Sequence, residues 1–318
     1  MLPFPDVFKC LFQTFDGSAV QDFRAFLQGN PGVRKWIIAA DFCLADKDKA
    51  NSVFAFTLIP YDAYMDDMQR EIREVLPKDI KKTQEIDQSG IELLKSPRRF
   101  NFAFIFGEHP DLFPSPDRAS RLGAARQSLD LAVHQLINLG RTKEQLKRLK
   151  GLRQKSLAKG FNVDLLSDLT LLAHLFCFIT LVLQRERPCE LVSWFPDRDN
   201  MTTWEDGAVW DIALESLAGL SEHFSILQPT RPIGVGTAPD GDTDALWFDD
   251  LIRLPDYIAG LFASWDLKLN AIDDKPKYKQ LTTGVAAIAK NLVAINVRYG
   301  QTFQAGRLAF SLDDGRRA

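Results

Sequence analysis

Two short apolar runs near the start of the chain constrain its fold more than any other feature. Residues 36–40 (WIIAA) and 52–59 (SVFAFTLI) are rich in β-branched and aromatic side chains, and a charged segment at 46–49 separates them. Runs of this kind, divided by a polar linker, predict an antiparallel β-hairpin. Asp41 follows the first run directly. A carboxylate at the end of a buried strand is costly to bury unless it binds a metal ion or another cation, so Asp41 is the first candidate for catalysis.

The composition favours a soluble protein with a sizeable core. The 318 residues are 46% hydrophobic and 25% charged, with a formal net charge of −3, so any surface for nucleic acid must be local. Four cysteines without zinc-site spacing predict reduced thiols and a cytoplasmic location. Residues 169–183 carry no formal charge but are shorter than the ~20 residues of a membrane span. They predict a core helix and no membrane association.

Further along the chain, strand and helix patterns alternate. Residues 100–106 (FNFAFIF) and 190–195 (ELVSWF) predict strands, and the spacing of apolar residues from 117 to 159 predicts helices. No internal repeat or low-complexity linker divides the chain. The sequence therefore predicts one α/β domain over residues 1–318, with a mostly helical, partly basic insertion at 115–185.

Two further helical patterns, at 247–265 and 278–297, follow towards the end of the chain. Because proline is favoured at the first position of a helix, Pro255 predicts that a helix begins there. Asp256 would then lie in the first turn, where its charge suits the helix dipole.

Three aspartates share a context that ordinary surface acids do not have. Asp41 and Asp197 each follow a predicted strand, and Asp256 precedes the apolar helix segment YIAGLF. Each of them alone is typical of a turn or a helix cap. Two Mg²⁺ ions about 4 Å apart require several carboxylates from different secondary-structure elements, and together these three aspartates meet that description.

This order of acids resembles the ribonuclease H-like fold and, within it, the family called domain of unknown function 3800. Residues 252–260 (IRLPDYIAG) are similar to the C-terminal helix motif of that family, Asp79-Ile80-Lys81 is similar to its acidic-x-Lys element, and Asp197 to its mid-chain Asp. After Asp41, this chain has Phe42-Cys43-Leu44 where the family has Glu, Ser and Gly. The resemblance spans about residues 33–265.

The resemblance implies a ribonuclease H-like mixed sheet with flanking helices and a metal-dependent nuclease activity, often encoded in mobile-element or phage-defence loci. It implies that Mg²⁺ or Mn²⁺ is bound by Asp41, Asp79, Asp197 and Asp256, and that Lys81 contacts the scissile phosphate. Glu85 and Asp87 lie in the same polar segment as Asp79. The sequence does not choose among these three acids.

A basic segment at 141–159 contains eight Lys or Arg residues and one acid. A run of this kind is typical either of a solvated helix face or of a phosphate-binding surface. The second interpretation predicts contacts with the backbone of DNA or RNA from Lys143, Lys147, Arg148, Lys150, Arg153 and Lys155.

An alternative function is a ribonuclease H-like scaffold whose catalytic site has lapsed and which binds nucleic acid or a partner protein. The missing Glu, Ser and Gly after Asp41 favour it. The aromatic residues Trp194, Phe195, Trp204 and Trp210 are candidates for a protein interface, although core packing also explains them. A nucleotide-cofactor enzyme has little support, because the chain has neither a complete GxGxxG fingerprint nor a Walker-type GK[ST].

Overall fold

The computed structural model describes residues 4–138, 140, 142–231, 234–235, 246–299 and 303–310. The strands are β1 (Lys35–Cys43), β2 (Ser52–Pro60), β3 (Phe100–Phe106), β4 (Leu191–Pro196), β5 (Gly234–Val235), β6 (Trp265–Asp266), β7 (Ala271–Ile272), β8 (Leu292–Tyr299) and β9 (Phe303–Arg307). The helices are α1 (Phe4–Ser18), α2 (Val20–Gln28), α3 (Met65–Val75), α4 (Gln88–Leu94), α5 (Arg118–Asn138), α6 (Lys143–Lys155), α7 (Val163–Glu186), α8 (Trp204–Phe224), α9 (Asp249–Ala263) and α10 (Pro276–Leu281). A 3₁₀ turn covers Ile80–Lys82, and a π-helical turn covers Thr282–Ala286.

Among the described residues, seven strands form one mixed sheet in the order β5-β4-β1-β2-β3-β8-β9. The pairs β1–β2, β2–β3 and β8–β9 are antiparallel, whereas β4 runs parallel to β1 and to β5, and β8 runs parallel to β3. The structure confirms the α/β class and the predicted hairpin, which is β1–β2. Helices α5, α6 and α7 lie between β3 and β4 in the sequence, where the helical insertion was expected.

The two faces of the sheet differ in the size of their side chains. Successive residues of a strand point to opposite faces, and one face carries large rings such as Phe54 on β2 and Phe102 and Phe104 on β3. We call this the aromatic face, and α1, α2, α5, α6, α7 and α8 pack on it. The other, which we call the alanine face, contacts α3, α4, α9 and α10.

A row of small residues crosses the alanine face at the level of Asp41. The strand register places Asp41 opposite Ala55, Ala55 opposite Ala103, and Ala103 opposite Ala294. Helix α9 contacts β1, β2 and β3 on this face. Because an alanine side chain ends at Cβ, the helix lies close to the sheet, and Asp41 at the end of the row faces α9.

Helix α9 begins earlier than the sequence predicts. It starts at Asp249 and contains Pro255 in its interior, so the prediction that Asp256 lies in the first turn is wrong. Proline lacks the N–H that would donate to the carbonyl of Leu251. Leu254, Pro255 and Ile258 are buried, and the burial of their apolar surface offsets the cost of that missing hydrogen bond.

The prediction of one helix over 278–297 is also wrong. Helix α10 ends at Leu281, and the chain forms strand β8 from Leu292 onwards. The side-chain amide of Asn291 donates to the carbonyls of Leu94, Ser96 and Arg99, which fixes the start of β8 beside β3.

Helix α7 is, by length and composition, long and apolar enough to cross a membrane. Within the protein, 89% of its most apolar window is buried, mainly in the cluster on the aromatic face. This burial fits the core helix that the sequence predicts for residues 169–183.

Candidate active site

The five residues predicted for catalysis line one cavity of about 650 Å³. Asp41 projects from β1, Asp197 follows β4, and Asp256 lies on α9, whereas Asp79 and Lys81 come from the 3₁₀ turn and the residue before it. Parallel strands end at the same edge of a sheet, and the N–H of Asp197 donates to the carbonyl of Ala40 at 2.7 Å. The topology therefore brings together acids that are far apart in the sequence.

Asp41 and Asp256 form a hydrogen-bonded carboxyl pair. Asp41 is 9% exposed and accepts the N–H of Phe42 at 2.6 Å, while Asp256 accepts the N–H of Ile80 at 3.0 Å. Burial raises the pKa of Asp41 well above its ordinary value, and the charges of Asp256 and Asp197 raise it further. The raised pKa values favour one proton on the pair, which forms a hydrogen bond between the two carboxyl groups.

Ionisation of Asp256 and of Asp197 is also unfavourable in the folded protein. Burial raises the pKa of Asp256 to about 6, and the N–H of Ile80 opposes part of this rise. Burial likewise raises the pKa of Asp197, against the stabilising effect of the Arg198 N–H on the carboxylate. In all three carboxyls burial is the main cause of the raised pKa, and a cation bound beside them would offset the cost of their ionisation.

The segment 79–81 is fastened to α9. Asp79 accepts the N–H of Lys81 at 2.7 Å and so caps the 3₁₀ turn. Ile80 packs against Gly260 so closely that a Cβ at Gly260 would lie 2.8 Å from the Ile80 Cδ1. The ammonium of Lys277 donates to the Ile80 carbonyl at 2.5 Å. The motif glycine on α9 thus allows the close approach that positions Asp79 and Lys81.

Of the three acids that compete in the polar segment, the structure places Asp79 at the cavity. Neither Glu85 nor Asp87 belongs to the described residues that line it. Asp199, two residues after Asp197, instead accepts the N–H groups of Met201 and Thr202 and stabilises the turn before α8.

Several basic residues and one tyrosine at the cavity were not identified from the sequence: Lys49, Lys78, Arg198, Arg253 and Tyr278. The ammonium of Lys49 donates to the Tyr278 hydroxyl at 3.0 Å, and the Arg198 guanidinium pairs with Asp249 at 2.9 Å. Arg198 was within reach of sequence reasoning because it directly follows Asp197. Lys49 and Tyr278 meet only through the tertiary fold, and no local pattern marks them.

The donor set fits a hard divalent cation in its chemistry, because Mg²⁺ and Mn²⁺ prefer carboxylate oxygens. In the part of the chain that the structure describes, however, no group of three or more His, Cys, Asp or Glu side chains is placed to hold a metal ion. Asp41 and Asp256 are instead joined by a hydrogen bond that requires one proton on the pair. Metal binding at this cavity would require that proton to leave.

The basic segment lies on the opposite side of the sheet. Helix α6 contributes Leu149 and Leu152 to the cluster on the aromatic face. Three of its cations are paired with acids: Arg148 with Asp211, Arg153 with Asp130, and Lys155 with Glu205. Lys143, Lys147 and Lys150 are exposed and are spaced along one side of the helix. They are the members of the predicted set that form no ion pair with a described acid, so a phosphate could bind to them. Arg141 lies outside the described residues.

The aromatic residues considered for a protein interface are mostly inside the protein. Trp194 is fully buried, with its ring stacked on Phe176 at 4.3 Å, and Phe195 and Trp210 are also buried. Trp204 is half-buried and contacts the ring of Phe161. Core packing accounts for these contacts.

Comparisons of the chain with protein-family models, with curated proteins and with solved structures find no match. Its function is therefore inferred from the cavity.

Proposed function

We propose that this protein is a metal-dependent nuclease-like enzyme that hydrolyses phosphodiester bonds in nucleic acid. The observation that carries the proposal is the convergence of Asp41, Asp79, Asp197 and Asp256 on one cavity from four separate parts of the chain. The raised pKa values of Asp41, Asp197 and Asp256 support it, since burial makes the ionisation of each carboxyl costly and a bound cation would offset that cost.

A ribonuclease H-like fold is part of the proposal. Its support is the position of Asp41 on the first strand of an antiparallel hairpin, with Asp197 after a parallel neighbouring strand. The last acid, Asp256, lies on a helix that packs on the same strands. A cytoplasmic location is also proposed, in keeping with four free cysteines.

The four aspartates are the residues that would hold Mg²⁺ or Mn²⁺, with Asp41 in its ionised form. The bound cations would supply activation of water and stabilisation of the leaving oxygen. Lys78 and Lys81 are exposed at the cavity, where their flexible ammonium groups are suited to neutralise the charge of a phosphodiester. Arg198 is held in place by Asp249 and so presents a fixed cation.

Thermal melts with and without Mn²⁺ test the cation site before any substrate is known. Mn²⁺ should raise the Tm of the parent protein, because a ligand that binds only the folded state stabilises it. The rise should vanish in Asp41→Asn and persist in Asp274→Asn, whose original side chain is 98% exposed. An equal rise in both variants would place the cation elsewhere.

A cleavage assay tests the activity itself. Single-stranded DNA, duplex DNA and RNA are incubated with the protein and Mn²⁺, and the rate is followed on a gel. Asp41→Asn, Asp197→Asn and Asp256→Asn should each reduce the rate by at least about 100-fold, as is usual for loss of a group that stabilises transition-state charge. If all three variants cleave as fast as the parent, the catalytic site lies elsewhere.

The second candidate is a lapsed ribonuclease H-like scaffold that binds nucleic acid without cleaving it. The separation of the described acids favours it, because no three of them are gathered around one point. This candidate predicts binding that needs no metal and weakens steeply with salt. Replacing Lys143, Lys147 and Lys150 by Gln should lower both affinity and salt slope, and unchanged binding would exclude this helix as the contact surface.

A further inference from the structure

A second cavity, of about 500 Å³, lies among the helices on the aromatic face, between α5, α7 and α8. Its walls are mainly apolar and include the buried side chains Leu129, Ala132, Leu166, Ile212 and Leu220. Cavities of a few hundred Å³ with apolar walls and a few polar groups are typical of sites for small molecules. The residues that line it are separate from those of the acidic cavity.

The polar groups of this cavity form a short hydrogen-bonded series. The Ser216 hydroxyl lies 3.2 Å from a Glu215 carboxylate oxygen and 3.1 Å from His174 Nε2. An ionised carboxylate only accepts hydrogen bonds, so the Ser216 hydroxyl donates to Glu215 and accepts from the Nε2–H of His174. The series orients the carboxylate and leaves its other oxygen available to a ligand.

The Glu215 carboxylate has no cationic partner in the described part of the chain. No Lys or Arg lines the cavity there, and none forms an ion pair with Glu215. His174 is buried and its pKa is lowered to about 3 by burial, so the ring is neutral at physiological pH. Burial raises the pKa of Glu215 to about 7, which shows that its negative charge is poorly compensated.

We propose that this cavity binds a small organic molecule with an apolar body and a protonated amine, with the amine on the Glu215 carboxylate and the body against the apolar walls. A cation supplies the partner that Glu215 lacks, and the apolar body removes the walls from water. A neutral molecule would leave the carboxylate uncompensated, and an anion would be repelled by it.

Acid should weaken this binding. The titratable groups that face the cavity are Glu215 and His223 on α8, His134 on α5 and His174 on α7. Lowering the pH through about 7 neutralises Glu215. This removes the charge that holds the amine, so binding should weaken.

The experiment uses isothermal titration calorimetry on the full chain with three matched probes: 4-phenylbutylamine, the neutral 4-phenylbutanol and the anionic 4-phenylbutyrate. The amine should bind about tenfold or more tightly than either analogue, since one charge-assisted hydrogen bond contributes about a factor of ten or more. Glu215→Gln should remove this preference. Ser216→Ala, which keeps the carboxylate but releases its orientation, should reduce it in part.

Asp256→Asn serves as the control, because it alters the acidic cavity and should leave amine binding unchanged. Circular dichroism of each variant establishes that it is folded, and amine affinity is then repeated at a pH below 6. Equal binding of the three probes, preference for the anion, undiminished binding by Glu215→Gln, or no amine binding at millimolar concentration would each overturn the proposal. Loss of binding in Asp256→Asn alone would assign the amine to the other cavity and would overturn it as well.

Discussion

Two buried carboxyl sites on opposite faces of the sheet differ in the charge of their neighbours. On the aromatic face, Asp211 is fully buried and accepts two hydrogen bonds from the Arg148 guanidinium, at 2.7 and 2.9 Å. On the alanine face, Asp41 is nearly as buried, yet the charged group with the largest effect on its pKa is another acid, Asp256. The first arrangement compensates a charge within the protein, and the second leaves a charge to be compensated from outside.

Under the proposed function, this difference separates an acid with a structural role, Asp211, from an acid with a role in binding, Asp41. A buried charge with its own counter-ion is complete in the folded chain. A buried carboxyl pair that must share a proton gains from any cation that enters the cavity. Glu215 belongs to the second type, because it too lacks a cationic partner within the described residues. Substitutions at the two types of site should therefore change stability in opposite directions.

The largest effect is expected when the complete pair is broken. Arg148→Gln leaves Asp211 charged and buried without its partner, which should lower the free energy of unfolding by about 3–5 kcal/mol. Lys147→Gln, on the same helix but exposed, should change it by less than about 0.5 kcal/mol. Urea denaturation of the two variants measures the contrast. Equal effects would mean that Asp211 does not depend on Arg148.

An opposite and somewhat smaller effect is expected at the acid pair. The pKa of Asp256 is about 6 in the fold against an ordinary 3.8, so its ionisation costs up to about 3 kcal/mol at neutral to basic pH. The protonated carboxyl of Asp256 contributes its full stabilisation below pH 3.8, and this contribution is lost as the pH rises through about 6. Without divalent cations, Asp256→Asn should therefore be more stable than the parent at about pH 8, and this gain should disappear near pH 4.

Thermal unfolding across this pH range, with Asp274→Asn as the matched control, checks the sign. If Asp256→Asn is less stable than the parent at basic pH, the carboxylate has a cationic partner and the contrast between the two faces fails.

The smallest effects compare two helix glycines on opposite faces. Gly260→Val on α9 should cost about 1–3 kcal/mol, because its side chain would overlap Ile80. Gly151→Ala on α6 meets no atom within 4 Å and should stabilise the protein by up to about 1 kcal/mol. Denaturant melts give both values. Equal signs would show that the alanine face is no more tightly packed at this point than the surface of α6.

Local signals account for what was predictable from the sequence. The runs at 36–40 and 52–59 predict the hairpin, and the strand pattern before Asp197 predicts its place at a strand end, because both depend on residues adjacent in the chain. The common edge of Asp41 and Asp197 follows once β1 and β4 are parallel neighbours.

Non-local packing determined what was not predictable. Proline favours a helix start, but α9 continues through Pro255 because the helix is buried against the sheet. The strand character of β8 depends on Asn291 and on pairing with β3 across the chain. A run of charged residues also does not show which of its cations pairs with a buried acid. Arg148 does so because the fold brings it to Asp211, which is 63 residues away in the sequence.

The hydrogen bond from the Ile80 N–H to Asp256 ties one wall of the acidic cavity to the carboxyl pair. The segment that carries Asp79 and Lys81 can move away from α9 only if this hydrogen bond breaks. Because the strength of the bond depends on the charge of Asp256, movement of the segment and the ionisation state of the carboxyl pair are thermodynamically linked. Hydrogen exchange at the Ile80 amide therefore reports on this linkage, because the amide is protected only while its hydrogen bond to Asp256 is formed.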